Sequence, residues 1–349
     1  MADNQPLVSI ILPVRDGESS IGQTLASAAG QTYRHTEIVV VDDGSRDGTR
    51  AVVERWVARD ARVRLIAQAN SGVAAARNRA IEASKGELIA PLDADDLWDP
   101  TKIEQQVRRM IDAGESTGLV YCWWVSIDAD GVVLDSSPPW RFEGAAADIL
   151  LEVNYTGNAS VPLYRRHHLE QVGGYDVTLR ERDAEGCEDL DLALKVAERS
   201  HLAVVPSVLV GYRRSRGAMS TRTDRMWRSH RFVIESARQR RPTLSPAIVR
   251  RSRNQLALHL AGVSFWSGGY SHALGWGLRA LRSSLAFQVL PHLIGFFARR
   301  LVRTGPPGAR IIGPGVRFSN WEVPCPLVPY DRIYQKRLER SRAAASSPR

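Results

Sequence analysis

The sequence predicts an α/β chain built on a doubly wound sheet, and three observations carry that expectation. Short continuous apolar runs recur at residues 8–12, 37–41, 63–67 and 87–92. Segments with helical spacing of apolar residues separate them, at 21–29, 49–59 and 72–85. Polar and acidic clusters close three of the four runs: Pro13-Val14-Arg15-Asp16, Asp42-Asp43 and Asp93-Ala94-Asp95-Asp96. Strands that are apolar on both faces are those covered by helices on both sides, which makes the sheet largely parallel. In such sheets ligands bind beyond the carboxyl ends of the strands, so the three polar endings are expected on one edge of the sheet.

Each element follows from its residues. The first run, Val8-Ser9-Ile10-Ile11-Leu12, is expected to stop at Pro13. Asp42-Asp43-Gly44-Ser45 has turn chemistry and ends the second run. Asp99 before Pro100 predicts a capped helix start. Beyond residue 118 the pattern is mixed. Strands are expected at 119–127 and 132–135 around an Asp128-Ala129-Asp130-Gly131 turn, and at 202–205 and 208–213. Helices are expected at 149–153, 167–172 and 190–199. Residues 243–304 are almost wholly helical in pattern, until Gly305-Pro306-Pro307-Gly308 breaks it. The expected organisation is a catalytic α/β domain over 1–240, a basic amphipathic helical region over 241–310, and an extended, partly disordered tail over 311–349.

Composition narrows the class. The 349 residues are 44% hydrophobic and 24% charged, which is globular. Lys and Arg number 47 against 38 Asp and Glu, and the excess gathers after residue 213. Basic excess points to a polyanionic partner, a phosphate-bearing substrate or an anionic membrane surface. The three cysteines, Cys122, Cys187 and Cys325, form no Cys-x-x-Cys pair, so neither a zinc site nor a disulfide framework is expected. No secretory leader and no membrane-spanning run is evident, so the expected location is the cytoplasm, with peripheral contact at the inner face of the cell membrane. The basic-aromatic helices, with Trp266, Trp276, Phe287, Phe296 and Phe297 among Arg279, Arg282, Arg299, Arg300 and Arg303, suit that contact. They suit a solvated helical bundle almost as well.

The acidic turn Asp93-Ala94-Asp95 is the centre of the chemistry. Carboxylates two residues apart on a turn can face one hard cation, and Mg²⁺ or Mn²⁺ commonly combines few carboxylates with phosphate oxygens. By spacing alone the turn reads more readily as structural, with Asp96 or Asp99 capping the helix that begins near Pro100. Glu188-Asp189 begins a helix, where carboxylates either cap or act as an acid or base.

Order and context decide between these readings. Six blocks, Val8 to Glu18, Glu37 to Thr49, Asn70 to Asn78, Leu92 to Asp96, Gly173-Gly174-Tyr175-Asp176 and Glu188 to Leu192, occur in the sequence of a known pattern. Together they make residues 7 to about 215 resemble a family 2 glycosyltransferase. The resemblance implies a GT-A fold, a Rossmann-like doubly wound mixed sheet. It implies that Pro13, Val14, Arg15 and Glu18 frame a nucleoside, with Asp43 accepting from the base and Gly72 allowing close approach. Arg77 would sit near the diphosphate or brace the acidic turn. Asp93 and Ala94 would lie beside the nucleotide, Asp95 would hold Mn²⁺ or Mg²⁺, and Asp189 would be the general base, with Glu188 its fallback. Two departures stand out. Arg15-Asp16 replaces a common aromatic-Asn pair, and Arg214-Ser215-Arg216 supplies no histidine as a further metal ligand.

The expected function is inverting transfer of a sugar from a nucleotide diphosphate, UDP-linked by preference, to a lipid-linked or polysaccharide acceptor. Trp123, Trp124 and Trp140 are equally placed to line an acceptor groove or to fill the core. A nucleotidyltransferase acting on a sugar phosphate would want a Gly-rich, basic loop after the first strand, and none is there. A nucleic-acid binder is suggested by charge alone, with no supporting motif.

Overall fold

The computed structural model describes residues 5–214 and 221–281. The chain opens with β1 (Val8–Val14), α1 (Ile21–Ala29), β2 (Thr36–Asp42), α2 (Thr49–Val57), β3 (Val63–Ala67), α3 (Val73–Ala83) and β4 (Leu88–Pro91). These strands pair in parallel in the order β3-β2-β1-β4. Every β1 residue is buried, as a strand covered on both faces requires. Their carboxyl ends therefore share one sheet edge, as the sequence predicts.

Pro13 does not end β1. Ile11 faces β4, where its carbonyl accepts from Leu92 N–H at 2.9 Å. The two-residue repeat turns Pro13 to the same side. β4 has already left the ladder at Pro91, paired with Ile11. The missing N–H thus costs no ladder bond, and the strand runs on beside β2.

The second half of the domain contains β5 (Leu97–Trp98), α4 (Lys102–Asp112), β6 (Thr117–Ile127), β7 (Val133–Ser136), α5 (Ala147–Glu152), β8 (Leu163–Arg165), α6 (Arg166–Gln171), α7 (Thr178–Glu181), α8 (Glu188–Ala197) and β9 (His201–Arg213). The full sheet has the order β3-β2-β1-β4-β8-β6-β9-β5, with β7 paired to β6. β8 runs antiparallel to β4 and β6, and β5 antiparallel to β9, so the sheet is mixed. This is the GT-A architecture.

Two strands expected at 202–205 and 208–213 are one. Val205 pairs with Cys122 and Val208 with Trp123, so Pro206 and Ser207 bulge out of the ladder between them. Pro206 is exposed there and withholds no donor from β6.

Three helices follow: α9 (Thr223–Arg240), α10 (Pro246–Trp266) and α11 (Tyr270–Leu281). Helical structure therefore begins some twenty residues before the expected 243. Val233, Ile234, Ala237 and Val249 join the main core. A ring of ion pairs fastens these helices to it: Arg240 to Glu198 at 2.6 Å, Arg241 to Asp148 at 2.6 Å, and Arg251 to Glu152. The later half of α10 and α11 share a small cluster of their own, Ala257, Leu260, Ala261, Trp276 and Ala280. Among the described residues no helix is long and apolar enough to cross a membrane. Arg282, Phe287, Phe296, Phe297, Arg299, Arg300, Arg303, Cys325 and the 311–349 tail lie outside the described residues.

Candidate active site

The carboxyl ends of β1, β2 and the start of α3 enclose a cavity of about 540 Å³. Pro13, Val14, Arg15, Asp43 and Gly72 line it, five of the residues expected around a nucleoside. Asp43 is buried and fixes the far wall. Its Oδ1 accepts from Gln68 Nε2 at 2.8 Å and Ser71 N–H at 2.7 Å, and its Oδ2 accepts from Gly72 N–H at 2.9 Å. Gly72 has a φ of +91°, and a Cβ there would come within 2.9 Å of Arg180 Cδ and Glu185 Oε1. The backbone conformation demands glycine at this point, whereas the Arg180 and Glu185 side chains could shift aside.

Four expected nucleotide neighbours lie outside that lining. Glu18 is turned away: its Oε2 accepts from Gly48 N–H at 2.9 Å ahead of α2, and its own N–H donates to Asp47 at 3.0 Å. The chain direction after Gly17 explains this, since Gly17 N–H is held by Thr49 Oγ1 at 2.8 Å. Ala94 presents its carbonyl to Ser20 Oγ at 2.9 Å and Thr24 Oγ1 at 3.0 Å, which roots the acidic turn on α1. Arg77 and Asp93 are joined to each other.

Arg77 is the hub of the site. It lies on the buried face of α3, one turn from the cavity wall at Val73. Its guanidinium donates to Asp93 Oδ1 at 2.5 Å and to Glu188 Oε1 at 3.4 Å, and sits 5.2 Å from the Tyr175 ring centroid. The adjacent Asn78 takes Tyr175 N–H on its Oδ1 and donates to Tyr175 carbonyl oxygen, both at 2.9 Å. One turn of α3 thus pins the acidic turn, the Gly173-Gly174-Tyr175 loop and the first turn of α8. Of the two roles expected for Arg77, this geometry is that of a brace.

Glu188 and Asp189 open α8. Glu188 is buried and accepts from Gly186 N–H at 2.7 Å in addition to Arg77. Asp189 is only partly covered. Burial first, and then the Glu188 carboxylate, push it up to about 7, against the pull of Arg77. A carboxyl poised there can take a proton near neutral pH.

The acidic turn is held from behind by two residues that the sequence does not single out. Ser160 Oγ accepts from Asp93 N–H at 3.0 Å and donates to Asp96 Oδ2 at 2.6 Å. Arg213, the last residue of β9, donates its backbone N–H to Asp96 Oδ1 at 2.9 Å and its Nε to the Asp95 carbonyl at 2.8 Å. Its remaining nitrogens reach Gln23 Oε1 at 3.0 Å and the carbonyls of Asp128 and Ala129. Asp96 is therefore the anchor of the turn. Among the described residues, no other residue donates a hydrogen bond to the Asp95 carboxylate; its own backbone N–H does. Burial first, and then the neighbouring Asp93 carboxylate, raise it to about 6, with Arg213 acting the other way.

That donor set fits a hard divalent cation. Asp95 is a carboxylate without a cationic side-chain partner, beside Asp93, whose Oδ1 is committed to Arg77. Among the described residues no cluster of three or more His, Cys, Asp or Glu side chains surrounds a metal position. A cation here would take its other ligands from phosphate oxygens and water, a familiar arrangement for Mg²⁺ and Mn²⁺. Supporting contacts of this kind typically change metal affinity about 10–100-fold. Ser160→Ala and Arg213→Lys are expected to weaken Mn²⁺ binding about tenfold while the near-ultraviolet circular dichroism stays native, measured by titration calorimetry.

The tryptophans divide. Trp123 Nε1 donates to the Trp140 carbonyl at 2.9 Å, and Trp140 stacks on Phe142 at 5.3 Å, on the core side. Trp124 meets Tyr212 edge-on at 6.0 Å. A Cβ at Gly157 would strike its Nε1, so that glycine is what admits the indole.

Comparison with known proteins finds likenesses both in sequence and in fold. Residues 9–171 match the model of glycosyl transferase family 2. Among similar proteins is one from Bacillus subtilis (strain 168) bearing the name glycosyltransferase EpsH. It is 35% identical over 170 residues, which is 47% of this chain and 48% of that protein. Another from the same organism carries the name teichuronic acid biosynthesis glycosyltransferase TuaG. It is 35% identical over 136 residues, 39% of this chain and 53% of that protein. The chain thus spans about half the length of these curated relatives. Two solved structures share the fold. S. aureus TarS 1–349 in complex with UDP-GlcNAc has a TM-score of 0.56 at 18% identity, covering 83% of this chain and 80% of that one. The mannosyltransferase PcManGT from Pyrobaculum calidifontis, in complex with GDP-Man and Mn²⁺, has a TM-score of 0.54 at 21% identity, covering 86% of this chain and 81% of that one.

Proposed function

We propose that this protein transfers a sugar, with inversion, from a nucleotide-diphosphate donor to a hydroxyl of a lipid-linked or polysaccharide acceptor. The observation that carries the reading is Arg77, which holds Asp93 of the acidic turn and Glu188 beside Asp189 in one buried cluster next to the nucleoside-sized cavity. In this reading one arginine holds both Asp93, on the donor side, and Glu188, next to the base. The complexes of TarS with UDP-GlcNAc and of PcManGT with GDP-Man support a nucleotide-sugar donor, and UDP is the first candidate. The name of TuaG supports a cell-envelope polysaccharide as the acceptor.

In this reading Pro13, Val14 and Arg15 flank the nucleoside, and Asp43 holds the Ser71-Gly72 backbone against it. Asp95 would hold Mn²⁺ or Mg²⁺, which when bound offsets charge on the leaving diphosphate, with Asp93 beside the nucleotide. Asp189 accepts the acceptor hydroxyl proton as that oxygen attacks the anomeric carbon. The bond to the diphosphate oxygen breaks on the opposite face, so no covalent sugar–enzyme intermediate forms.

Thermal stabilisation by a panel of UDP-, GDP- and dTDP-sugars, with and without Mn²⁺, tests the donor and the metal together. One nucleotide class should stabilise, and Mn²⁺ should enhance it. Asp95→Asn should retain metal-free nucleotide binding and lose the Mn²⁺ enhancement. A panel without any stabilising nucleotide would remove the reading.

A further inference from the structure

The chain that leads into Glu188 and Asp189 is unusual in its backbone. Asp183 and Gly186 both take positive φ, +47° and +131°. Cys187 stands at the N-cap of α8, yet its side chain makes no capping hydrogen bond, so the common way of fixing a helix start is missing here. Backbone of this kind persists where its surroundings over-determine it.

α9 supplies those surroundings. Arg225, Met226 and Ser229 lie at three- and four-residue steps and form one stripe of the helix. The stripe meets the loop residue by residue. Arg225 pairs with Asp183 at 2.6 Å and with Glu185 at 3.5 Å. A Cβ at Gly186 would come within 2.5 Å of Met226 Sδ, which packs there. Cys187 Sγ donates to the Met226 carbonyl at 3.7 Å, and Cys187 N–H donates to Ser229 Oγ at 3.0 Å. Ser229 is wholly buried, on the helix face that also buries Val233, Ile234 and Ala237. A hydroxyl on such a face costs stability unless it is hydrogen-bonded, and the amide it takes is the one that enters α8.

The start of α8 therefore has two anchors on either side of one peptide bond. From α3, Arg77 donates to Glu188. From α9, Ser229 holds Cys187, whose carbonyl accepts from Asp191 N–H at 2.9 Å and so carries its orientation into the first turn. Asp189 sits in that turn.

We infer that Ser229 is a positioning residue for Asp189: by accepting from Cys187 N–H it fixes the first turn of α8, and with it the carboxylate that takes the acceptor proton. Ser229 lies outside the lining of the donor cavity and acts through that one amide. The inference rests on the glycosyltransferase reading and extends its site to α9.

The test uses the full chain and the nucleotide sugar that stabilises it most, with water as the acceptor. Water attacks the anomeric carbon, its proton passes to Asp189 and the nucleoside diphosphate leaves, so release of that diphosphate reads the step. Ser229→Ala should lower kcat about 10²-fold, the cost of slightly misplacing a reacting group, while KM for the donor stays within about twofold. Ser229→Thr keeps the oxygen and should return most of the rate. Hydrogen exchange read by mass spectrometry should quicken over residues 186–190 in the alanine variant. Ser252→Ala is the control. It removes a similarly buried hydroxyl, bonded to the Leu151 carbonyl between α10 and α5, and should lower Tm with kcat unchanged. Wild-type kcat in Ser229→Ala would overturn the inference, and so would unchanged exchange over 186–190. Equal losses of kcat in the two alanine variants, or a threonine variant as slow as the alanine one, would overturn it too, because packing alone would then account for the effect. A wild type that neither binds nor consumes any nucleotide sugar would instead remove the glycosyltransferase reading, and the inference with it.

Discussion

Asp189→Asn is expected to lower transfer about 10³-fold while leaving nucleotide affinity unchanged, because a positioned general base contributes roughly 10²–10⁴ and the residue lies outside the nucleoside cavity. The pH profile adds a second readout. Asp189 must be ionised to take a proton, and its pKa is raised to about 7 by burial and by Glu188. The rate should therefore rise with pH through about 7 and level off above it. The residual rate of the Asn variant should lack that limb. Stability has the opposite sign. A carboxyl whose pKa is raised on folding favours the folded state at low pH, and that advantage is lost as pH climbs through the folded value. Above that value the Asn variant should melt no lower than wild type. Near wild-type transfer by Asp189→Asn would sink the assignment and turn attention to Glu188.

Arg77→Met should be the most destabilising single change in the site. The methionine keeps much of the volume but leaves Asp93 and Glu188 facing each other without their shared cation. Breaking a buried pair by removing one partner typically costs about 3–5 kcal/mol. Urea denaturation measures it, and a loss under about 1 kcal/mol would show that Arg77 does not bind the cluster together. Arg77→Lys should fall between, since one ammonium cannot span both carboxylates as a guanidinium fork does. Transfer should drop in both variants, because the acidic turn and α8 would no longer be held in register.

The parts of this molecule legible in the sequence are those whose cause is local. β1 to α3 follow from apolar runs and helical spacing within a dozen residues, and so do the positions of Asp43, Gly72 and Asp93 at strand and helix ends. β5 and β8 are two and three residues long and carry no period of their own. α9 is hidden by its arginines, five of which occupy an eighteen-residue helix. Ser160 and Arg213 are illegible for another reason. They reach the acidic turn from 64 and 117 positions away, and a serine in a loop or an arginine ending a strand has no local mark. Glu18 erred the other way: its place in a motif pointed to the nucleoside, while the Gly48 amide was the nearer unpaired donor.

One stretch of chain ties these features together. α8 begins with Glu188 and Asp189, and after a three-residue link β9 runs from His201 to Arg213, where it grips the acidic turn. The proposed base and the clamp on the proposed cation site are two ends of one continuous segment, whose β9 half is seated on β6. Local opening of β9 would release the clamp on the acidic turn, which Arg77 joins to the first turn of α8, so the proposed cation site and base would be disturbed together. Heat inactivation should then coincide with the loss of the sheet itself, instead of preceding it as it does in enzymes whose catalytic loops open on their own.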